Sequence, residues 1–162
     1  MTSVRVVTIA AEDPRGEDVR TLVAALDADM TGLYRPDACH LRPVEALAEP
    51  DTFFLVAREK ARAVGCGALA PLADGAGEIK RMWVEPDARG HRIARQILDM
   101  LVREAGERGY GAVRLQVGDR QPAALALYRA CGFVERGPFG EYAEHPNLIF
   151  MELSLASGSD VS

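Results

Sequence analysis

The stretch Glu78–Leu98, EIKRMWVEPDARGHRIARQIL, decides the fold of this chain. Glu78 to Val84 reads as a strand, stopped by Pro86 in the turn Glu85-Pro86-Asp87. A helix is predicted from Arg89 to Arg108. Ile93, Ile97, Leu98, Leu101, Val102 and Ala105 build a continuous apolar stripe along it, and Gly109 stands just past its end. The leading N–H groups of a helix have no internal partners and carry partial positive charge, so this strand–turn–helix offers an anion site. Gly90 lets a ligand approach the backbone closely. Lys80, Arg81, Arg89, Arg92 and Arg95 gather five of the chain's 19 lysines and arginines in the same window. The alternative is an ordinary surface helix with its charges on the wet face. Neither G-x-G-x-x-G nor G-x-x-x-x-G-K-S/T occurs, so the dinucleotide fingerprint and the P-loop are both absent.

Upstream, Val4 to Ala10 is rich in β-branched residues and reads as a first strand. Val19, Leu22, Val23 and Leu26 fall on one stripe of an amphipathic helix. Asp27 to Pro43, interrupted by Gly32, Pro36 and Pro43, reads as a loop or broken helix lining a pocket. Phe53 to Arg58 and Ala63 to Leu72 are strands joined through a hairpin turn. Downstream come a strand at Ala112 to Val117, a helix at Pro122 to Ala130, and two last strands at Phe133 to Arg136 and Leu148 to Leu155. This order fits one α/β (α+β) domain over residues 1–155, with helices on both faces of a mixed sheet. Residues 156–162 are small and polar, as in a frayed tail.

Composition bounds the function. The chain has 162 residues, 48% of them hydrophobic, enough for one buried core and too many for a disordered chain. Its 24 acidic residues against 19 basic ones leave a net charge of -5, which disfavours general nucleic-acid binding through phosphate neutralisation. No apolar run approaches the roughly 20 residues of a membrane span, and Met1 to Glu12 lacks the pattern of a signal peptide, so the expected compartment is the cytoplasm. Cys39, Cys66 and Cys131 are odd in number, with no C-x-x-C pair. Each is read as a small buried hydrophobe, and neither a disulfide framework nor a metal site is expected.

The segment Val84-Glu85-Pro86-Asp87-Ala88-Arg89-Gly90-His91-Arg92-Ile93-Ala94 resembles the acetyl-CoA signature Q/R-x-x-G-x-G/A of the GCN5-related N-acetyltransferases (GNAT), which follows a strand ending in V-x-P. Downstream, Ala124-Leu125-Ala126-Leu127-Tyr128-Arg129-Ala130-Cys131-Gly132-Phe133 resembles that family's A-x-x-L-Y-x-x-x-G-F element, in order and at the expected distance. Gly65 to Leu69, Glu78 to Met82 and Pro138 to Tyr142 resemble a bacterial subgroup of small-molecule acetyltransferases, some labelled in connection with indole-3-acetic acid. The resemblance implies the GNAT acyl-CoA N-acyltransferase fold, a mostly antiparallel mixed sheet of about six or seven strands. It also implies acetyl-CoA as co-substrate and no metal. The acceptor would be the amine of a small molecule, with room for a homodimer. No nucleic acid or membrane partner is implied.

By the same resemblance, a backbone N–H at a strand bulge over Met82, Trp83 and Val84 contacts the thioester carbonyl. The break in polar/apolar alternation within Lys80 to Val84 agrees with a bulge. Arg89, Gly90, His91, Arg92, Ile93 and Ala94 would take the pyrophosphate, with Gln121, Ala124 and Tyr128 on the coenzyme's other side. Arg92 stands where the family usually has its second glycine, and Gln121 where many members have Asn. Tyr128 is the candidate general acid: a phenol of pKa about 10 can donate to a thiolate whose conjugate acid lies at about 8.5. Glu78 is the candidate general base. An ordinary carboxylate, pKa about 4.3, is too acidic to deprotonate an ammonium directly, so it would act through burial or a water relay. Leu33, Tyr34, His40, Glu141 and Tyr142 are the candidate acceptor-binding residues. A non-catalytic acyl-CoA-binding domain and a protein N-acetyltransferase are the alternatives. The adjacent Cys39 and His40 raise a nucleophilic mechanism only weakly, since no third member is spaced to join them.

Overall fold

The structure, a computed structural model, describes residues 6–34 and 43–155. Its elements are β1 (Val7–Ala11), α1 (Glu17–Leu33), the single-turn α2 (Val44–Leu47), β2 (Phe53–Glu59), β3 (Arg62–Pro71), β4 (Gly77–Val84), α3 (Ile93–Glu107), β5 (Ala112–Gly118), α4 (Pro122–Ala130), β6 (Val134–Arg136) and β7 (Leu148–Ser154). Seven strands form one sheet in the order β1-β2-β3-β4-β5-β7-β6. Every neighbouring pair is antiparallel except β4 and β5.

Strand alternation sorts the core into two layers. On β2, Phe54 and Val56 face Val19, Leu22, Val23 and Leu26 of α1, while Leu55 and Ala57 belong to the layer of α3 and α4. Helices therefore cover both faces, as expected from the element order. In α3 the stripe Ile93, Ile97, Leu98, Leu101 and Ala105 is at most 2% exposed. Burying each large aliphatic side chain contributes about 1.5–3 kcal/mol. Leu98→Ala is expected to lower stability by roughly 2–5 kcal/mol and the melting temperature by roughly 4–20 °C, read by thermal unfolding.

The strand ends shift by a residue or so from the sequence reading, and the larger departures are at α1 and α3. α1 continues through Asp27 to Leu33, where a loop or broken helix was expected, because Met30 extends the apolar stripe and the next proline is Pro36. α3 begins at Ile93 rather than at Arg89. Gly90 (φ +85°) and Arg92 (φ +63°) are left-handed, which no α-helix accommodates, and Pro86–Ala88 forms a separate 3-10 turn. The first strand starts at Val7, so its predicted start at Val4 lies outside the described residues, as do the 156–162 tail, Cys39 and His40. Among the described residues, no helix is long and apolar enough to cross a membrane.

Candidate active site

The site lies at the single parallel seam. β4 and β5 pair only at Gly77 with Val113 and Glu78 with Arg114. Beyond that point their facing edges carry no ladder, and residues of both strands line a cavity instead.

A bulge turns β4 at this seam. Cys66 pairs with Trp83 and Ala68 with Lys80, so Arg81 and Met82 together oppose the single residue Gly67. Arg81 takes the left-handed conformation (φ +54°), a strained state for a residue with a Cβ. The Cys66 thiol donates to the Arg81 carbonyl at 3.2 Å, and complete burial pushes that thiol up to about 12. Cys66 is thus a packed, protonated group, as its sequence reading expected. A Cβ at Gly67 would stand 2.6 Å from Met82 Sδ and 2.8 Å from Ile97 Cγ2. Only glycine lets Met82 and α3 close over the strand there.

The larger cavity, about 950 Å³, runs along the start of α3. The first helical bond joins Gln96 N–H to the Arg92 carbonyl, so Ile93, Ala94 and Arg95 have no intrahelical acceptor for their N–H groups. No side chain caps them, and the first turn holds no acidic residue. Arg92 and Arg95 instead place cations at the positive end of the helix, opposite to what helix stability favours. Arg92, Arg95, Arg89 and Gly90 all line the cavity, and a Cβ at Gly90 would meet nothing within 4 Å. Arg89 Nε donates to the Val84 carbonyl at 2.8 Å, and its guanidinium lies over the Trp83 ring.

The smaller cavity, about 130 Å³, opens between α1 and the seam. Glu78, 3% exposed, faces it; Tyr142 Oη donates to Glu78 Oε2 at 2.7 Å, and Lys80 Nζ lies 3.6 Å from Oε1. Arg81 Nε pairs with Asp27 Oδ1 of α1 at 3.1 Å. Burial raises the Asp27 carboxyl above its ordinary pKa, against the pull of Arg81. Tyr34 closes one end: its hydroxyl accepts from Arg120 N–H at 2.8 Å and sits where a Cβ on Gly118 would be.

Met30, Met82, Gln121 and Tyr128 line both cavities, so Tyr128 stands at their junction. It is 6% exposed and packs edge-on against Phe133. Burial, with a small contribution from Cys131, holds its phenol well above the ordinary range. Full proton donation to a thiolate is therefore steeper than the modest step that the ordinary phenol value implies.

The predicted residues distribute unevenly. Trp83, Val84, Arg89, Gly90, Arg92, Ile93 and Ala94 line the larger cavity, as do Gln121, Ala124, Met82 and Tyr128. Glu78, Tyr34 and Tyr142 line the smaller one. Leu33 lines the larger cavity instead. His91 and Glu141 are exposed and line neither. His40 lies outside the described residues. Lys80 and Arg81, grouped by sequence with the anion window, belong to the smaller cavity. The sequence reading also missed Leu26, Gln116 and Arg120 as walls, while Met30 falls in the segment expected to line a pocket. For Leu26 the i, i+4 spacing to Met30 along α1 was a usable signal.

A family model described as Acetyltransferase (GNAT) family matches residues 20–133. An IAA acetyltransferase of Azospirillum brasilense is 45% identical over 150 residues, 92% of this chain and 98% of that one. A solved chain from Klebsiella pneumoniae superposes with a TM-score of 0.78 at 33% identity, over 93% of this chain and 98% of that one. The PaiA N-acetyltransferase of Thermoplasma acidophilum, solved in complex with coenzyme A, shares the fold: TM-score 0.68 at 17% identity, over 93% and 99% of the two chains. The chain belongs to the acetyltransferase (GNAT) family. It is an N-acetyltransferase, and the acyl donor of that family is acetyl-CoA.

Proposed function

We propose that this enzyme moves an acetyl group from acetyl-CoA to the primary amine of a small molecule, by direct attack while both are bound. The observation that carries this is Tyr128 at the junction of two cavities, one beginning at a cationic helix start and the other holding a buried carboxylate. The donor set fits the coenzyme. Unpaired amides at Ile93, Ala94 and Arg95, open space at Gly90, and Arg89 and Arg92 suit a pyrophosphate. Gln121 and Ala124 form the facing wall. When bound, the coenzyme supplies a thioester whose carbonyl carbon takes the new bond.

The chain's own groups then have distinct tasks. The open edge of β4 past its bulge, at Met82 to Val84, offers backbone N–H to the carbonyl oxygen. Glu78 orients the amine and draws its proton, held in place by Tyr142. Tyr128, kept protonated by burial, donates a hydrogen bond to the departing sulfur. In balance, the C–N bond forms and the C–S bond breaks. An ammonium acceptor releases one proton to solvent and one to sulfur.

Thiol release from acetyl-CoA against a panel of amines tests the reading. Tight coenzyme binding without turnover on any amine would make this a non-catalytic acyl-CoA-binding domain. Arg89→Glu is expected to weaken acetyl-CoA binding on the order of 10- to 100-fold by calorimetry. Equal affinity would move the pyrophosphate elsewhere. Glu78→Gln is expected to steepen the rise of kcat/KM with pH, since solvent must then neutralise more of the amine. A profile matching the parent would remove Glu78 as base.

A further inference from the structure

The loop between β4 and α3 carries two left-handed residues, Gly90 and Arg92. Such a conformation persists at a residue with a Cβ only where its surroundings over-determine it. Two ties hold the loop to β3: the Asp87 carboxylate accepts from Arg62 Nη2 at 2.7 Å, and Glu85 N–H donates to the Val64 carbonyl at 2.8 Å. A third is made by Arg89, which lines the larger cavity itself. Its Nε donates to the Val84 carbonyl, and the centre of its guanidinium lies 5.6 Å from the centroid of the Trp83 ring. Both contacts run back to the last two residues of β4.

Trp83 is the chain's single tryptophan. It is partly buried against the apolar layer of α1, and its indole N–H is buried without a hydrogen-bond partner among the described residues. A phenyl or aliphatic side chain would carry no such unsatisfied donor, so packing alone does not favour an indole here. What the indole offers beyond packing is the strongest π face for a cation, and Arg89 stands over it. Trp83 also follows directly on the bulge, within the stretch Met82 to Val84 whose backbone is assigned above to the thioester carbonyl. One residue therefore adjoins both ends of the coenzyme's path: its backbone at the thioester, its ring beneath the cation that opens the pyrophosphate loop.

We infer that Trp83 is a positioning residue for the coenzyme: its ring holds the Arg89 guanidinium and so fixes the pyrophosphate loop against the bulged end of β4. This deepens the coenzyme site proposed above and rests on it. The ring acts through Arg89. With the ring removed, Arg89 is freer to leave the Val84 carbonyl, and the coenzyme must order the loop as it binds, at a cost in affinity.

Calorimetric titration with acetyl-CoA tests the coupling. Trp83→Leu is expected to weaken binding by about 3- to 30-fold, the range of a cation–π contact, while Trp83→Phe, which keeps a ring under the guanidinium, stays within about twofold of the parent. Arg89→Met is expected to weaken binding further, since it removes a cation as well as the tie. In the Arg89→Met background, Trp83→Leu is then expected to change affinity by no more than about twofold. Equal losses from Trp83→Leu in the two backgrounds, or a Trp83→Phe variant as weak as Trp83→Leu, would show that the indole acts through packing and overturn the inference. Parental affinity in Trp83→Leu would overturn it too, and leave the coenzyme site standing. A parent protein that binds no acetyl-CoA would overturn both. Should Trp83→Leu fail to fold, the emission of the single tryptophan decides: its maximum is expected to shift in Arg89→Met, and a spectrum identical to the parent's would overturn the inference.

Discussion

Tyr128→Phe lowers kcat for acetyl transfer by on the order of 100-fold or more, the usual share of a positioned proton donor, while acetyl-CoA affinity stays within about twofold. The ring keeps its packing, because Phe retains the edge contact with Phe133 that seats Tyr128 on α4. Only the hydroxyl at the junction of the two cavities is lost. The pH dependence gives a second readout. Burial holds this phenol above its ordinary value, so it stays protonated through the working range. The kcat profile of the parent should then show no alkaline fall from tyrosine ionisation up to about pH 10. Unchanged turnover in the Phe variant would remove Tyr128 from the chemistry.

Gly67→Leu is expected to destabilise the protein by roughly 1–3 kcal/mol or more and to weaken acetyl-CoA binding at the same time. The first added carbon already falls 2.6 Å from Met82 Sδ and 2.8 Å from Ile97 Cγ2. Met82 is flexible, but Ile97 belongs to the fully buried stripe of α3. The leucine must therefore push α3 off the sheet or flatten the bulge opposite. Either movement disturbs the helix start and the open edge of β4 together. Thermal unfolding and an acetyl-CoA titration on the same sample check it; a stable variant with parental affinity would show that the bulge and helix are not coupled through this glycine.

Both predictions turn on residues that the sequence marked in different ways. Tyr128 stood out through its motif context, and its helix runs over Pro122–Ala130 as its spacing predicted. The α3 stripe and the order of strands and helices were likewise legible, because each depends on neighbours a few residues apart, whereas the bulge near Met82 was implied by the family resemblance and only agreed with the break in alternation. Gly67 was visible only as part of a similar block. That its missing Cβ admits Met82 and Ile97 depends on two elements brought together from elsewhere in the chain.

The same division runs through the site. Periodicity and turn chemistry, which act over single turns and strands, determined the first half of α1, the stripe of α3, α4, the sheet-forming segments and the basic loop before α3, but not the second half of α1 or the single-turn α2. They did not determine which side of β4 each cation serves. Lys80 and Arg89 lie nine positions apart in one basic window, yet the bulge and the left-handed Arg81 send them to separate cavities. The pairing of Glu78 with Tyr142 and of Arg81 with Asp27 joins residues more than fifty positions apart, across layers of the fold. Burial and charge balance at such contacts are properties of the packed whole, so only the tertiary structure could decide them.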